Sequence, residues 1–402
     1  MPAPALTDPE TFADGPPHAL FDELRLEPPA DTGLGPQGNR LWSVCSHAAI
    51  AAASRDTATF SSWAAGIFPH ADQVNPLDVN RQLLLFKDPP EHTKYRKILQ
   101  TAFVPRSVAR LEGRVREIVT EVLDAVIEAG RCDFVADVAV PIPLRVLAEL
   151  MGLPVSDVPR LADWTARIEA AQISPEPAAA LPVLGEMATY LGEQIAAQKE
   201  AGGESLVTTL AEAEVDGERL DDAEILVFFA LLVFAGNDTT RNTMAGGMRA
   251  LLEHPDQLDL LTREPERIET AVEEILRWTS VVNYFCRTAT TDTELGGRRI
   301  AAGEKVVLWY PAGSRDPEMN QDPQAFDVTR PEPTHMAFGG GGRHFCLGAG
   351  LARLELRVAF EEVLRRFRDV RPAGPPERLR SSWANALTSL PIEFQPASKE
   401  LT

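Results

Sequence analysis

Residues 334–355 read Thr-His-Met-Ala-Phe-Gly-Gly-Gly-Gly-Arg-His-Phe-Cys-Leu-Gly-Ala-Gly-Leu-Ala-Arg-Leu-Glu, a run of glycines that leads to one cysteine, Cys346. Glycine tolerates positive φ angles and lets the backbone approach a flat ligand closely. Gly348 and Gly350 then begin a helical pattern, whose positive end would favour the thiolate form of the cysteine. The stretch predicts a metal-ligating cysteine, and a buried structural cysteine is the alternative. The phosphate-binding patterns GxGxxG and GxxxxGK[ST] do not fit it.

The same stretch resembles the haem-binding loop of the cytochrome P-450 superfamily through Phe338, Gly342, His344, Cys346 and Gly348. In that family a cysteine thiolate is the axial ligand of the iron of haem b. The resemblance therefore implies that Cys346 is the metal ligand and that Phe338, His344 and Gly348 contact the cofactor. Phe338 lies one residue further from the cysteine than in the commonest form of the motif, so the loop is predicted to be one residue longer.

Composition narrows the class of protein. The chain has 402 residues and a formal net charge of −20, which argues against nucleic acid and anionic membrane surfaces as partners. Four cysteines show neither a CxxC pair nor zinc-ligand spacing. No signal peptide is visible, and the longest apolar run, Ile225–Gly236, is shorter than the ~20 residues of a membrane span. We expect a cytoplasmic protein with no membrane span.

Hydrophobic periodicity predicts a mainly α protein with a small β-rich part, arranged as a single domain over residues 1–402 with a peripheral segment at 1–40. The resemblance implies a triangular outline. The predicted helices are His18–Leu26, a helix from Ser46 to Ser54, Ser107–Ala129, Ile142–Met151, Val158–Ala171, Ala178–Gln198, Asp221–Leu252 and one from Cys346 to Arg366. The predicted strands are Leu41–Val44, Val281–Thr291, a hairpin at Leu295–Ile300, Glu304–Tyr310 and a terminal hairpin at Ser381–Phe394.

Two polar side chains precede the cysteine motif in the chain. Asp-Pro-Pro at residues 88–90 predicts a helix start, and His92 and Arg96 follow four residues apart on one helical face. In the family that the chain resembles, the matching residues bind haem propionates. A solvated helix face is the alternative for an isolated pair of this kind.

The apolar helix Asp221–Leu252 contains Ala-Gly-Asn-Asp-Thr-Thr-Arg-Asn at residues 235–242, which places polar groups inside a buried helix. The Thr239 hydroxyl can donate to the carbonyl of Ala235 and open the helix locally, beside the cofactor. Asp238 and Thr239 match the acid–alcohol pair with which the family delivers protons to oxygen. A helix bend with structural hydrogen bonds is the alternative.

A third motif concerns folding rather than chemistry. Glu274 and Arg277 lie three residues apart on one helical face and can form an ion pair. By resemblance the pair joins an arginine ahead of the haem loop, here Arg330. Further along, the resemblance implies that Arg287 on the strand at 281–291 and His344 hold the haem propionates together with His92 and Arg96, through charge-assisted bonds.

Two irregular segments, Phe60–Asn80 and Ile173–Pro182, are candidates for a lid or for the wall of a pocket. Apolar residues are expected to line a substrate pocket, although core packing would select the same residue types. The candidates are Trp63, Ile67, Phe68, Phe229, Val233, Val282, Asn283, Phe285 and Leu387, the last in a turn at Ala386–Thr388.

The resemblance extends from about Leu41 onward and implies a monooxygenase that hydroxylates an unactivated C–H bond, using O2 and two electrons from a ferredoxin and its reductase. The motifs look like those of actinobacterial enzymes that act on steroids, methyl-branched lipids and terpenoids, although the acid there is often Glu where this chain has Asp238. A polyketide-type tailoring oxidase is the second interpretation of the substrate. A peroxide-driven enzyme is a further alternative, against which the pair Asp238 and Thr239 speaks, and a non-oxidative haem protein and a haem-free binding protein are the others.

Overall fold

The structure is a computed structural model that describes residues 6, 8–27, 29–34, 38–69, 77–172, 180–202 and 205–397. It confirms the predicted class, since helices form most of the chain and the strands form small sheets. The segment at 173–179, most of the predicted loop Ile173–Pro182, lies outside the described residues, as do residues 70–76 of the predicted loop Phe60–Asn80.

The α-helices follow one another along the whole chain. They are α1 (His18–Arg25), α2 (His47–Arg55), α3 (Leu77–Asn80), α4 (Glu91–Gln100), α5 (Pro105–Ala109), α6 (Glu112–Ile127), α7 (Pro141–Met151), α8 (Val158–Gln172), α9 (Leu181–Ala201), α10 (Leu206–Glu212), α11 (Asp222–Glu253), α12 (Pro255–Arg263), α13 (Ile268–Thr279), α14 (Tyr310–Ser314) and α15 (Ala349–Arg366).

The strands are short and are distributed along the chain. They are β1 (Ala30–Leu34), β2 (Arg40–Val44), β3 (Phe60–Ser61), β4 (Arg131–Asp133), β5 (Glu214–Val215), β6 (Glu218–Arg219), β7 (Tyr284–Ala289), β8 (Thr293–Leu295), β9 (Arg298–Ile300), β10 (Lys305–Trp309), β11 (Phe367–Pro372), β12 (Glu377–Arg378), β13 (Leu387–Ser389) and β14 (Pro391–Pro396).

The largest described sheet has the strand order β1-β2-β10-β7-β3. Its middle strand, β10, is buried along its length and pairs in parallel with β2 and in antiparallel with β7. The segment at 1–40, predicted to be peripheral, is anchored to the body of the protein at a few described positions. Phe12 and Phe21 are buried against the ring of Trp309, at centroid distances of 5.8 and 5.3 Å, and β1 pairs with β2.

Helix α11 runs through the helical core, in contact with α7, α8, α9, α13 and α15. A capping box at its start, formed by Asp221 and Glu224, satisfies backbone N–H groups that have no partner inside the helix. Within the part of the chain that the structure describes, α11 is the helix that is long and apolar enough to cross a membrane by length and composition alone. A core helix of a folded protein has the same properties.

Two predicted elements differ from the observed ones. The helix predicted at Ser107–Ala129 is divided into α5 and α6, because the amide of Leu111 bonds to Val108 only three residues back and tightens the turn. The prediction of a terminal hairpin is wrong: β13 pairs with β12, whereas β14 lies between β11 and β4. The Asp133 carboxylate accepts hydrogen bonds from Ser389 and from the amide of Leu390, and so redirects the chain between the two sheets.

Candidate active site

Residues 338–348, here called the cysteine loop, directly precede α15 in the chain. The amide of Cys346 donates to the carbonyl of Phe338 at 3.1 Å, which closes the loop at the residue that begins the motif. Gly339, Gly341 and Gly342 have φ angles of 90°, 89° and 75°, values that residues with a side chain rarely adopt. The loop therefore accommodates its extra residue by a run of left-handed turns.

The glycine run also lets the cysteine loop pack closely against the end of α2. A Cβ atom added to Gly340 would lie 2.3 Å from Ser54 Oγ and 2.9 Å from the carbonyl oxygen of Ile50. One added to Gly342 would lie 2.7 Å from the carbonyl oxygen of Ser54. The glycines were predicted to let the backbone approach a flat ligand. At Gly340 and Gly342 they instead let it approach helix α2. Gly348, by contrast, has open space where its Cβ would be.

The surroundings of Cys346 differ electrostatically from the prediction. Cys346 has exposed surface, although protein atoms crowd around its thiol. This desolvation acts to raise the pKa of the thiol, whereas the backbone N–H of Gly348 and the charges of Arg96 and Arg353 act to lower it. Because these effects oppose one another, the turn and the helix end do not by themselves ensure a thiolate. A coordinated metal ion would, because it deprotonates a thiol that binds to it.

Four nitrogen-bearing side chains are brought together by α4, β7 and the cysteine loop. The ring centroids of His92 and His344 are 4.2 Å apart. The charges of Arg96 and Arg287 act on both imidazoles. Arg96 also donates from Nη2 to the carbonyl of Phe345 at 2.6 Å, which ties α4 to the cysteine loop. The residues predicted to bind haem propionates therefore form one cluster.

The two histidines of this cluster are neutral at pH 7. Burial, with the charges of Arg96 and Arg287, lowers the pKa of His92 to about 4. Burial, with the charge of Arg287, lowers the pKa of His344 to about 2. The four residues were predicted to bind the propionates as cations. Arg96 and Arg287 are charged at pH 7, whereas His92 and His344 are not. A carboxylate bound beside the rings would raise both pKa values.

The cluster fits a ligand with carboxylate groups. His92 Nδ1 and Arg287 Nε are buried and have no hydrogen-bond partner among the described residues. Arg287 donates from Nη1 to a backbone carbonyl, that of Cys286, and within the described ranges it forms no ion pair. Burying a cation without a counter-charge is unfavourable. The two propionates of haem would supply the missing acceptors.

The polar part of α11 has the local geometry predicted for it. The Thr239 hydroxyl donates to the carbonyl of Ala235 at 3.0 Å, and the helix is continuous across these residues. Ala235 is exposed and Thr239 is partly exposed, whereas the neighbouring Asn237 and Asp238 are buried. Ala235 and Thr239 therefore face an open space, while Asp238 faces the protein interior.

Asp238 is part of an ion-pair network. Arg241 Nη2 lies 2.5 Å from Asp238 Oδ1 and 2.8 Å from Glu169 Oε2 on α8. Asn242 donates to the carbonyl of Asp238 at 2.8 Å and to its Oδ1 at 3.3 Å. Burial raises the pKa of Asp238 to about 6 even though Arg241 opposes the shift. The acid of the pair thus titrates close to neutral pH.

Sequence reasoning missed Arg241 and Glu169 as members of this network. Arg241 lies three residues after Asp238 in the quoted motif, a spacing at which charged residues of a helix can pair. The pairing of Arg241 with Asp238 could therefore have been predicted from this spacing. Glu169 lies on a different helix, and the sequence holds no indication that α8 contacts α11 at this point.

The predicted folding lock is present. Arg277 donates to Glu274 through Nε at 2.6 Å and Nη2 at 2.7 Å, and Arg330 Nε donates to the same carboxylate at 3.2 Å. Glu274 and Arg277 have no exposed surface. Arg277 also donates to the carbonyls of Pro323 and Ala325, so the lock holds the chain ahead of the cysteine loop.

A second lock, on Glu273, was not predicted. Arg353 on α15 donates to this carboxylate at 2.6 and 2.8 Å, and His335 Nε2 lies 3.1 Å from it. Burial alone would raise the pKa of Glu273, but the bonds from Arg353 and His335 lower it to about 2. The guanidinium of Arg353 also covers the ring of Phe338 at 4.6 Å. Adjacent carboxylates of α13 therefore hold both sides of the cysteine loop.

An aromatic cluster lies beside α11. Phe68 is 6.4 Å from Phe285 and 6.3 Å from Trp383 between ring centroids, and Trp383 stacks on Phe234 at 6.0 Å. Phe234 directly precedes Ala235 on α11. Phe68 and Phe285 were predicted to line a pocket, and Phe234 and Trp383 were not. The cluster is apolar and partly exposed, as a binding wall for an apolar ligand requires.

Among the other predicted pocket residues, Phe229 and Val233 have no exposed surface and belong to the core around α7 and α9, so core packing accounts for them. Leu387 belongs to the core cluster that includes residues of α6 and α15, so core packing accounts for it as well. The segment that reaches this region comes slightly earlier, since Ala384 pairs with Val282 and the Asn283 amide donates to the carbonyl of Ser382.

The remaining two predicted pocket residues lie in the turn after β3. Ile67 is buried, and its carbonyl accepts from the amide of Cys286. Trp63 is 43% exposed with the guanidinium of Arg81 4.8 Å above its ring. Asp88 accepts from Ser62 and neighbouring groups and so fixes this turn.

Comparison with known proteins gives consistent results. The family model described as Cytochrome P450 matches residues 193–395. The chain is 36% identical over 408 residues to the steroid C26-monooxygenase of Rhodococcus jostii, covering 98% of this chain and 85% of that protein. It is 39% identical over 377 residues to the methyl-branched lipid omega-hydroxylase of Mycobacterium bovis, covering 89% and 85%. A solved structure of a Mycobacterium marinum cytochrome P450 in complex with pseudoionone resembles it with a TM-score of 0.89, at 35% identity over 97% of this chain and 98% of that chain.

Proposed function

The chain belongs to the cytochrome P450 family and is a haem-thiolate monooxygenase, and we propose that it hydroxylates an unactivated C–H bond of a steroid, terpenoid or branched lipid. The observation that carries this proposal is the arrangement on α11, where the acid–alcohol pair directly follows a partly exposed aromatic wall. A substrate on that wall would lie next to the residues that deliver protons.

Haem b, when bound, activates O2 so that one oxygen atom can enter a C–H bond. In our proposal Cys346 would ligate its iron. Arg96 and Arg287 would bind the propionates by charge, and His92 and His344 would bind them as neutral donors. Support comes from the unpartnered nitrogen atoms of His92 and Arg287. Phe338, Gly348 and Ala235 would contact the cofactor.

Thr239 and Asp238 move the protons that the reaction consumes. The Thr239 hydroxyl already donates to Ala235, so its oxygen is free to accept a further hydrogen bond from water. Asp238 has a pKa of about 6 and can therefore both give and receive a proton near neutral pH. Arg241 fixes the position of its carboxylate.

The substrate class follows from the aromatic cluster of Phe68, Phe234, Phe285 and Trp383. The cluster offers flat apolar surface, which suits a ring system or a branched chain better than a polar metabolite. The related enzymes named above act, by their names, on a steroid and on a methyl-branched lipid. A polyketide-type scaffold is the second candidate, and the substrate screen described below separates the two.

Electrons come from a ferredoxin and its reductase in this proposal, and the protein acts in the cytoplasm. Arg343 is exposed at the cysteine loop, and the neighbouring Phe345 is 39% exposed, which gives an acidic ferredoxin a cationic contact with an apolar centre. Reversing the charge with Arg343→Glu should slow electron transfer and weaken its salt dependence. An unchanged rate would remove Arg343 from the docking surface.

The proposal is tested in two steps. The haem-loaded protein is first reduced under carbon monoxide, and thiolate ligation should give the red-shifted Soret band that an ordinary haem protein lacks. Steroids, terpenoids, branched lipids and polyketide lactones are then screened for the shift of the Soret band that accompanies a change of spin state. Hydroxylated product should form with ferredoxin, reductase and O2. Fast turnover with hydrogen peroxide alone would favour a peroxide-driven enzyme instead.

A further inference from the structure

A cavity of about 170 Å³ lies away from the cysteine loop, between the N-terminal segment and the C-terminal half of α11. Its walls include the ends of α11 and α13 and the segment that leads into β13. A cavity of this size holds several water molecules. The positively charged side chains that line it are Arg249, Arg315 and Arg378, and the ring of His18 lines it as well.

Two of these arginines have no carboxylate partner among the described residues. Arg315 is 8% exposed, stacks on Trp278 at 3.8 Å and donates to Gln324, but its Nε is buried without a hydrogen-bond partner. Arg378 donates to Asn385, and its Nε is likewise buried without a partner. The cavity thus contains guanidinium donors that the described part of the protein does not satisfy.

The acidic groups of the cavity do not neutralise these donors. Glu253 is paired with Arg249 at 2.7 Å. Asp14 lines the cavity but forms no ion pair with Arg315 or Arg378 in the described ranges. The His18 ring is buried and its Nδ1 has no partner there. Arg315 and Arg378 therefore line the cavity without a carboxylate at ion-pair distance among the described residues.

The pKa values of both arginines are lowered mainly by burial. Burial lowers the pKa of Arg315 to about 9, with a further contribution from Arg277, whereas the charges of Glu274 and Asp22 oppose the shift. Burial lowers the pKa of Arg378 to about 10, with a further contribution from Arg249, whereas the charges of Glu253 and Asp14 oppose the shift. Burial also lowers the pKa of His18, which is therefore neutral at pH 7. A bound anion would reverse the shifts of both arginines.

We propose that this cavity is a binding site for a small oxyanion of the size and charge of phosphate or sulfate, held between Arg315 and Arg378. Arginine forms paired hydrogen bonds with such anions through its planar donor fork. The anion would join the N-terminal segment to α11 and to the chain before β13. The proposal does not depend on the substrate or on the electron donor of the enzyme.

The test is thermal unfolding of the full-length, haem-loaded protein at pH 7 with increasing sodium phosphate, at an ionic strength held constant with sodium chloride. Site binding should raise the unfolding temperature in a saturable manner, because a ligand that binds only the folded state stabilises it. Sulfate should act in the same way. The absence of a saturable rise with either anion would overturn the proposal, since the cavity would then be an ordinary water-filled space.

Three variants locate the effect. Arg378→Gln should weaken phosphate binding about tenfold or more. The matched control is Arg380→Gln, which removes a nearby exposed arginine that pairs with Glu10 and should leave the phosphate response unchanged. Asp14→Asn removes a negative charge from the cavity wall and should strengthen binding, a gain that no folding defect can imitate. An Arg378→Gln response equal to that of the natural protein, or weaker binding in Asp14→Asn, would overturn the proposal.

Discussion

The guanidinium of Arg241 lies 2.5 Å from the carboxylate of Asp238, one turn away on the same face of α11, in a region from which water is largely excluded. The same nitrogen reaches Glu169 of α8. One cation is thus shared by two carboxylates, and the protonation of Asp238 depends on a residue of another helix.

Replacing the acid of this network should impair proton delivery. Asp238→Asn keeps the shape and the partners of the side chain but cannot give up a proton, so product formation should fall about 100-fold or more. Thr239→Ala should instead divert reducing equivalents to hydrogen peroxide. Product and peroxide are measured per electron supplied, with Asp222→Asn, an exposed change on the same helix, as the control. Normal product yields from both variants would exclude the pair from proton transfer.

The rate should depend on pH through Asp238. With a pKa of about 6, raised by burial, the carboxyl changes charge between pH 5 and pH 7. We expect an inflection near pH 6 in the pH profile of product formation, absent in Asp238→Asn. Glu169→Gln removes a negative charge that raises this pKa, so the inflection should move to lower pH. Asp163→Asn, on the same helix α8, should leave it in place. An inflection that is unchanged in Asp238→Asn belongs to another group.

Glu274 should be essential for stability. Glu274→Gln leaves Arg277 and Arg330 buried without their counter-charge, and the loss of one member of a buried pair destabilises a protein by about 3–5 kcal/mol. Chemical denaturation should show this loss together with release of haem. Glu273→Gln frees Arg353, which is 38% exposed, and should cost clearly less. Equal losses of stability in Glu274→Gln and Glu273→Gln would contradict the interpretation that the ion pairs of Glu274 stabilise the fold more than those of Glu273.

The buried Glu355 of α15 predicts a fall in stability as pH rises. Burial raises its pKa from 4.5 to about 8, and its Oε2 has no hydrogen-bond partner among the described residues. Between those two pH values the folded state binds more protons than the unfolded state, so stability decreases from pH 5 to pH 9, by at most roughly 5 kcal/mol. Glu355→Gln should flatten this dependence in urea unfolding, whereas Glu377→Gln at an exposed position should not. If Glu355→Gln keeps the pH dependence of stability of the natural protein, another group is responsible for it.

Arg287 should contribute to haem retention. Arg287→Gln keeps a donor but loses the charge that faces His92 and His344, and a hydrogen bond to a charged group contributes about 1.5–3 kcal/mol. Haem transfer to an excess of apo-myoglobin should therefore be about tenfold faster or more. Arg299→Gln, an exposed change on β9, is the control. Unchanged transfer from Arg287→Gln would mean that Arg287 does not hold a propionate.

The sequence was most informative where residues close in the chain act together. Ser46 caps α2 as predicted, Thr239 bonds to Ala235, and Glu274 pairs with Arg277, because each contact spans three or four residues of one helix. Family resemblance supplied Arg330 and the gathering of His92 with His344, which no local pattern indicates.

The sequence was least informative where distant segments meet. Trp383 contacts Phe68 across more than 300 residues, and its neighbours hold no periodic pattern that would identify it. Phe229 and Val233 have the composition of pocket residues, yet they face the core, because apolar character does not specify which side of a buried helix borders a cavity. The reason for Gly340 is likewise a contact with Ser54, far away in the chain.

That contact has a consequence for biosynthesis. The seat of the cysteine loop on α2 is complete once the first sixth of the chain has been translated, but Gly340 and Gly342 are added almost 300 residues later. Cys346, the proposed iron ligand, and its support can meet only when most of the polypeptide has been translated. We therefore expect cofactor loading to be a late event in the life of the nascent chain, and a prematurely terminated product that lacks the last fifth would contain α2 without the glycines that pack on its end.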